Sequence, residues 1–178
     1  MVVIISWNIY KINQHAQTTL HYSDTLGADV LLLQEIVKTP NGDAPGPASG
    51  KYYKLWAGEG RLAGYVAKSL PLSCWEYTAE KDLIHITIYT QGPRPLHIFG
   101  IYSEPYTPGP RPWDSPLSRL AARPHPGPDA DVVLMGDVNL YHLLWDAVGR
   151  TSTYSDVLLD LTDKWELSLL ILPGTPTW

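Results

Sequence analysis

A chain of 178 residues, 44% hydrophobic and 17% charged, is long enough to bury one core without disulfides or structural metals as staples. Its formal net charge of -5 gives no overall attraction to nucleic acid, so any such binding has to come from a local patch. The single cysteine, Cys74, excludes an internal disulfide and a cysteine-based zinc site and fits an intracellular setting; no stretch approaches the length of a membrane span.

Met1-Val2-Val3-Ile4-Ile5 has no basic lead and is too short for a signal-peptide core, so Val2 to Trp7 is read as a first strand ending at Asn8. A polar, helix-compatible stretch runs from Asn13 to Leu26, with Gly27 suited to close it as the residue just past the helix end. Asp29 to Glu35 repeats the opening pattern, an apolar strand that ends in a carboxylate. Strand, helix and second buried strand predict a βαβ unit.

Thr39 to Gly50, rich in Pro, Gly and Asn, is a loop. Tyr52–Trp56 and Leu62–Ala67 read as strands around the turn-prone Gly58-Glu59-Gly60. Leu83 to Thr90 alternates, with Ile84, Ile86 and Ile88 on one face and His85, Thr87 and Tyr89 on the other. After a turn at Gln91-Gly92-Pro93, Leu96 to Tyr102 returns, and the two runs form an antiparallel hairpin.

Eight of the 16 prolines fall between Pro105 and Pro128, so this span is a long loop, of the kind that is functional or mobile. It has room for a short helix with Asp114, Leu117, Leu120 and Ala121. Asp131 to Met135 is a short apolar, β-branched run, read as a buried strand. Gly136 lets the backbone turn where a side chain would clash, and Asp137 and Asn139, at i and i+2 of extended chain, then point the same way. Val157, Leu158, Leu161 and Trp165 predict a helix over Ser155 to Glu166, with Ser152 or Ser155 as its N-cap. Leu167 to Leu172 is read as a last strand and Pro173-Gly174-Thr175-Pro176 as a turn.

Four strands thus end in polar side chains: Asn8, Glu35, Tyr102, and Asp137 with Asn139. In layered α/β folds functional groups collect at the strands' carboxyl ends, where loops converge on a rigid frame. Two carboxylates and two carboxamides offer hard oxygen ligands without thiols, which favours magnesium or manganese over zinc. Each ending has a plain reading by itself. A Gly-Asp-x-Asn is most often a turn in which the Asp caps its own backbone. The ordered recurrence of four such endings carries the inference. A response-regulator-like receiver would also gather acids at strand ends, but it needs a late lysine, and Lys164 falls in a helix pattern.

The Trp7-Asn8, Leu33-Gln34-Glu35, Ile101-Tyr102 and Gly136-Asp137-Val138-Asn139 motifs resemble those of the endonuclease/exonuclease/phosphatase superfamily, which includes deoxyribonuclease I and the apurinic/apyrimidinic endonucleases. Within it the chain most resembles the endonuclease domain of fungal non-LTR (LINE-type) retrotransposons. Three stretches carry that narrower likeness: Lys81-Asp82-Leu83-Ile84, Leu140-Tyr141-His142-Leu143-Leu144-Trp145, and Leu169 to Thr177. The resemblance implies an α/β four-layer sandwich over residues 1–178, with two β-sheets face to face and helices outside. It implies a magnesium- (or manganese-) dependent phosphodiesterase that nicks DNA. Glu35 would bind the metal, with Asn8 in the same cluster positioning metal and carboxylate. Tyr102 would hydrogen-bond the scissile phosphate, Asp137 and Asn139 would orient or deprotonate the attacking water and hold the phosphate, and His142 would support substrate binding. A reverse transcriptase domain on the same parent polyprotein and a nuclear setting belong to the same implication.

The family pattern finishes with a Ser/Thr-rich strand carrying another aspartate and then a Ser-Asp-His motif, and the sequence stops before both. Gly100, Tyr141-His142 and Leu143-Leu144-Trp145-Asp146 also depart from the pattern. The expectation is therefore a C-terminally incomplete domain with impaired nicking or, alternatively, an inactive nuclease-like domain with residual metal or nucleic-acid binding. Absent last strands would leave a sheet edge open to self-association.

Overall fold

Apolar alternation along the first two-thirds of the chain resolves into two four-stranded sheets. In the computed structural model the described residues are 1–45, 50–89, 92–105, 114–142, 144–146, 150–152 and 154–170. They group into two compact units, Met1–Tyr102 with Asp129–Asp137, and Ser103–Pro128 with Val138–Trp178.

In the first unit, β1 (Ile4–Asn8), α1 (Asn13–Thr25) and β2 (Val30–Gln34) form the expected βαβ unit, with β1 and β2 parallel and Asn8 level with Gln34. Helix α1 stops where the sequence says it should. The Gly27 and Ala28 amides donate back to Asp24 O and Ser23 O at 3.1 and 2.9 Å, which satisfies carbonyls the helix would leave open. The antiparallel strands β3 (Tyr52–Leu55) and β4 (Leu62–Ala67) complete a sheet of order β1-β2-β4-β3.

The second sheet has the order β5-β6-β7-β8, from β5 (Trp75–Glu80), β6 (Leu83–Ile88), β7 (Leu96–Tyr102) and β8 (Asp131–Asp137). The β6–β7 hairpin is antiparallel as expected, while β8 pairs parallel to β7. Between the sheets lie Val30, Leu32, Leu55, Leu62 and Val66 from one side and Trp75, Ile84, Ile86, Ile88, Ile98 and Tyr102 from the other. Leu31 and Leu33 point the opposite way, into a second core with Ala16 and Leu20 of α1. Strand β2 is therefore apolar on both faces because both are covered.

The strand reading departs from the structure in two places. Strand β5 has no counterpart in the sequence reading, because only Trp75 of its six residues is buried and it pairs with β6 alone. Residues 167–170 form no strand. Glu166 takes a left-handed backbone (φ 52°) and the Leu167 amide donates to Thr162 O at 2.8 Å, so the chain end of the preceding helix uses the donor that a ladder would need. The rest of that expected strand and the turn at 173–176 lie outside the described residues, as do Thr90, Gln91 and residues 46–49 and 106–113.

The second unit holds α2 (Pro116–Ala121) and α3 (Ser155–Lys164). Ser115 caps α2, its hydroxyl accepting from the Ser118 amide at 3.1 Å, with Pro116 in the first turn. Neither serine caps α3: the N-cap is Tyr154, and the Ser155 hydroxyl donates to Ser152 O at 2.7 Å rather than accepting. Lys164 donates to Ala121 O and Arg123 O at 2.9 and 2.8 Å, tying the last turn of α3 to the end of α2. Among the described residues no helix is long and apolar enough to cross a membrane.

Candidate metal and phosphate site

Asn8 closes β1, Glu35 follows β2, and Tyr102 and Asp137 close β7 and β8 at the same level of one ladder. Parallel pairing within each sheet thus brings these four carboxyl ends to one rim of the first unit. The hub is the Asn8 carboxamide. Its Oδ1 accepts from the Tyr10 amide at 2.9 Å, which fixes the orientation of the group. Its Nδ2 then donates to Glu35 Oε1 at 3.2 Å and to Asp137 Oδ2 at 2.8 Å, joining a carboxylate from each sheet.

Backbone strain accompanies this arrangement. Glu35 is left-handed (φ 56°), a conformation that a non-glycine residue keeps only when its surroundings over-determine it. Those surroundings are visible: Glu35 O accepts from the Lys11 amide at 3.1 Å, and the next amide, Ile36, donates to Arg61 O at 3.1 Å. Gly136 is equally constrained. At φ 132° it leaves no room for a Cβ, which would overlap Ile101 O on the neighbouring strand, so the clash expected from the sequence is real.

Tyr102 is 1% exposed, and its hydroxyl has no hydrogen-bond partner among the described residues. Burial pushes its pKa above the ordinary phenol value; the Arg61 guanidinium opposes that rise, and the Glu35 and Asp137 carboxylates add to it. The group is therefore a neutral proton donor throughout the physiological range.

The donor set suits a hard cation. Two carboxylates converge on one amide nitrogen, and no group of three or more His, Cys, Asp or Glu side chains occurs among the described residues. A divalent metal here would be held by one or two carboxylates with water completing its shell.

Asn139 and His142 belong to the second unit. Asn139 is left-handed (φ 47°) rather than extended, and its Nδ2 donates to Ser103 O at 2.8 Å. The expected i, i+2 geometry with Asp137 therefore fails: β8 ends at Asp137, and the chain turns at a residue type that tolerates positive φ. His142 makes local contacts, with Nδ1 accepting from the Leu144 amide at 3.2 Å and its ring 5.0 Å from that of Trp145. Sequence reasoning missed Arg61 beside Tyr102. A lone arginine after a glycine turn carries no signal of its own, and its place depends on a partner distant in the chain.

The profile of the Endonuclease/Exonuclease/phosphatase family matches residues 5–178. The chain belongs to this family. Among solved structures, the endonuclease domain of TRAS1, a telomere-specific non-LTR retrotransposon, is similar to it with a TM-score of 0.68 and 18% identity, over 100% of this chain and 77% of that one. An endonuclease/exonuclease/phosphatase family protein from Leptotrichia buccalis is similar with a TM-score of 0.57 and 12% identity, over 92% of this chain and 73% of that one. At such identities the likeness speaks to the fold, and it matches the two facing sheets described above. No curated protein matches the sequence.

Proposed function

We propose that this endonuclease/exonuclease/phosphatase family member is a magnesium-dependent phosphodiesterase that nicks DNA in the manner of a retrotransposon endonuclease. The observation that carries the reading is the Asn8 carboxamide holding Glu35 and Asp137 together across the two sheets. In-line attack on a phosphodiester needs a positioned water, a proton acceptor and donors for the phosphate oxygens. Asp137 accepts the proton of the attacking water, and Asn8 keeps that carboxylate aimed. Tyr102, neutral and buried with a hydroxyl unpaired among the described residues, donates to a phosphate oxygen. Asn139 is assigned a second phosphate contact. Magnesium, held by Glu35 with help from Asn8, would supply positive charge for the phosphate. The narrower retrotransposon reading draws on the sequence motifs and on the fold shared with the TRAS1 endonuclease domain, and it brings with it a reverse transcriptase domain as neighbour and nuclear DNA as substrate.

A plasmid-nicking assay with magnesium tests the reading. Wild-type protein should convert supercoiled plasmid to open circles, and chelation or Asp137→Ala should abolish this. Equal rates for wild type and Asp137→Ala would overturn the catalytic claim. The second reading is a nuclease-like domain that binds without turnover. Magnesium-dependent nicking by the purified chain would rule that out.

A further inference from the structure

Asp82 is a buried carboxylate outside the cluster just described, 6% exposed and left-handed at φ 59°. It sits between the two sheets' contributions to the rim. Its Oδ1 accepts from the Arg61 backbone amide, at the entry to β4 of the first sheet. Its carbonyl accepts from the Tyr102 amide at 3.0 Å, at the end of β7 in the second. The turn before Arg61 is shaped to admit it: a Cβ on Gly60 would lie 2.5 Å from Asp82 Oδ1, so only glycine fits there. Arg61 is in turn held from the far side, its carbonyl accepting from the Ile36 amide at 3.1 Å next to Glu35.

One buried acid thus fixes the backbones of two residues whose side chains face each other, the Arg61 guanidinium and the Tyr102 hydroxyl, the latter outside hydrogen-bond geometry with any described residue. A buried donor left unpaired costs about 1–3 kcal/mol, which a ligand oxygen would relieve. A guanidinium beside it is suited to a phosphate oxyanion, since its donors match that geometry and its charge persists at any working pH.

We propose that Arg61 is a second phosphate ligand beside Tyr102, and that Asp82 is the positioning residue that holds the two together for the phosphodiester of the substrate. The proposal rests on the nuclease reading above and deepens it. The Arg61 charge offsets the Glu35 and Asp137 carboxylates, which act on the same Tyr102 hydroxyl.

The test uses the full chain in chelator, where no turnover occurs, with duplex DNA binding measured against salt concentration. Arg61→Ala should weaken binding about tenfold and lower the slope of log affinity against log salt by about one, while Arg61→Lys keeps the slope. Asp82→Asn retains an oxygen acceptor for the Arg61 amide and should stay within about twofold of wild type, whereas Asp82→Ala should match Arg61→Ala. A wild-type slope in Arg61→Ala overturns the phosphate contact, and equal losses in Asp82→Asn and Asp82→Ala overturn the positioning role. A second readout is independent of nicking: the carbon-13 signal of the labelled Tyr102 ring, identified by its loss in Tyr102→Phe, during titration with inorganic phosphate. It should shift in wild type and stay fixed in Arg61→Ala. An Arg61-dependent shift in a chain that does not nick would keep the phosphate pair and discard the nuclease reading. Nicking by Arg61→Ala at the wild-type rate, with no change in binding, would discard the pair and keep the nuclease.

Discussion

Asp137 and Asn139 are separated by one residue, yet different forces hold them. Asp137 is the last residue of β8, level with Tyr102 in a parallel ladder, and its carboxylate accepts from Asn8. Asn139 has left the ladder, with a left-handed backbone and a side-chain bond to Ser103 O. The chain beyond it continues in the same style. Trp145 Nε1 donates to Leu140 O at 3.0 Å, the Tyr141 amide to Ser152 Oγ at 2.9 Å, and the Arg150 guanidinium to both Asp146 oxygens at 2.8 and 3.3 Å. A ladder shares the load among many backbone bonds, so a residue in it is placed accurately and replaced with difficulty. A segment held by turns and side-chain bonds, outside any ladder, can change one residue at a time.

The sharpest way to break this contrast is Gly136→Ala. With its Cβ overlapping a carbonyl of β7, the substitution should cost about 4 kcal/mol or more, seen as a large drop in the denaturant midpoint. A near-neutral result would mean that β8 is not locked to β7. Asp137→Ala, on the same strand, should leave the midpoint almost unchanged while lowering the nicking rate by about 10²–10⁴.

On the other side of the contrast the effects should shrink. Asn139→Ala loses the bond to Ser103 O and strains a positive φ, for about 1–2 kcal/mol of stability, whereas Asn139→Gly keeps the backbone and should cost less. Chemical denaturation of the two variants decides this, and an alanine variant as unstable as Gly136→Ala would erase the distinction.

These differences follow what the sequence could and could not convey. Ile84, Ile86 and Ile88 announced β6 because one face is aliphatic and the other carries the polar His85 and Thr87, and the apolar run from Val30 announced β2 because both its faces meet apolar cores. The four polar strand ends were readable for the same reason: a ladder carries a period, and the period says where it stops. Strand β5 was hidden because its exposed positions are as mixed as a loop's. Leu167, Leu169 and Leu170 looked like a strand, but the Leu167 amide is used by the helix before it, and Leu170 is 85% exposed. Nothing in local pattern could connect Arg61 to Asp82, since that bond joins two separate turns.

The smallest expected effect concerns the sandwich alone. Tyr65 is fully buried in β4, its hydroxyl donating to Pro45 O at 2.6 Å, and burial raises its pKa above the ordinary value. The unfolded chain therefore releases this proton first. The associated stability is complete below about pH 10 and is lost as pH climbs from there through the raised folded value. Tyr65→Phe should lose about 1 kcal/mol at neutral pH and show a shallower decline in alkali, as measured by denaturation midpoints across pH 7–11.

The parallel pairing of β7 with β8 also sets a timetable. Strands β5, β6 and β7 follow one another closely along the chain, while the residues from Ser103 to Ala130 intervene before β8 can pair. Closing the longer loop carries the greater entropy cost, so the meander should protect its amides first and Val132 to Leu134 afterwards in pulse-labelling during refolding. Asp137 then arrives with the last strand of its sheet. A half-folded chain carries Asn8 and Glu35 without Asp137, so the Asn8 carboxamide joins its two carboxylates only once the sheet is complete.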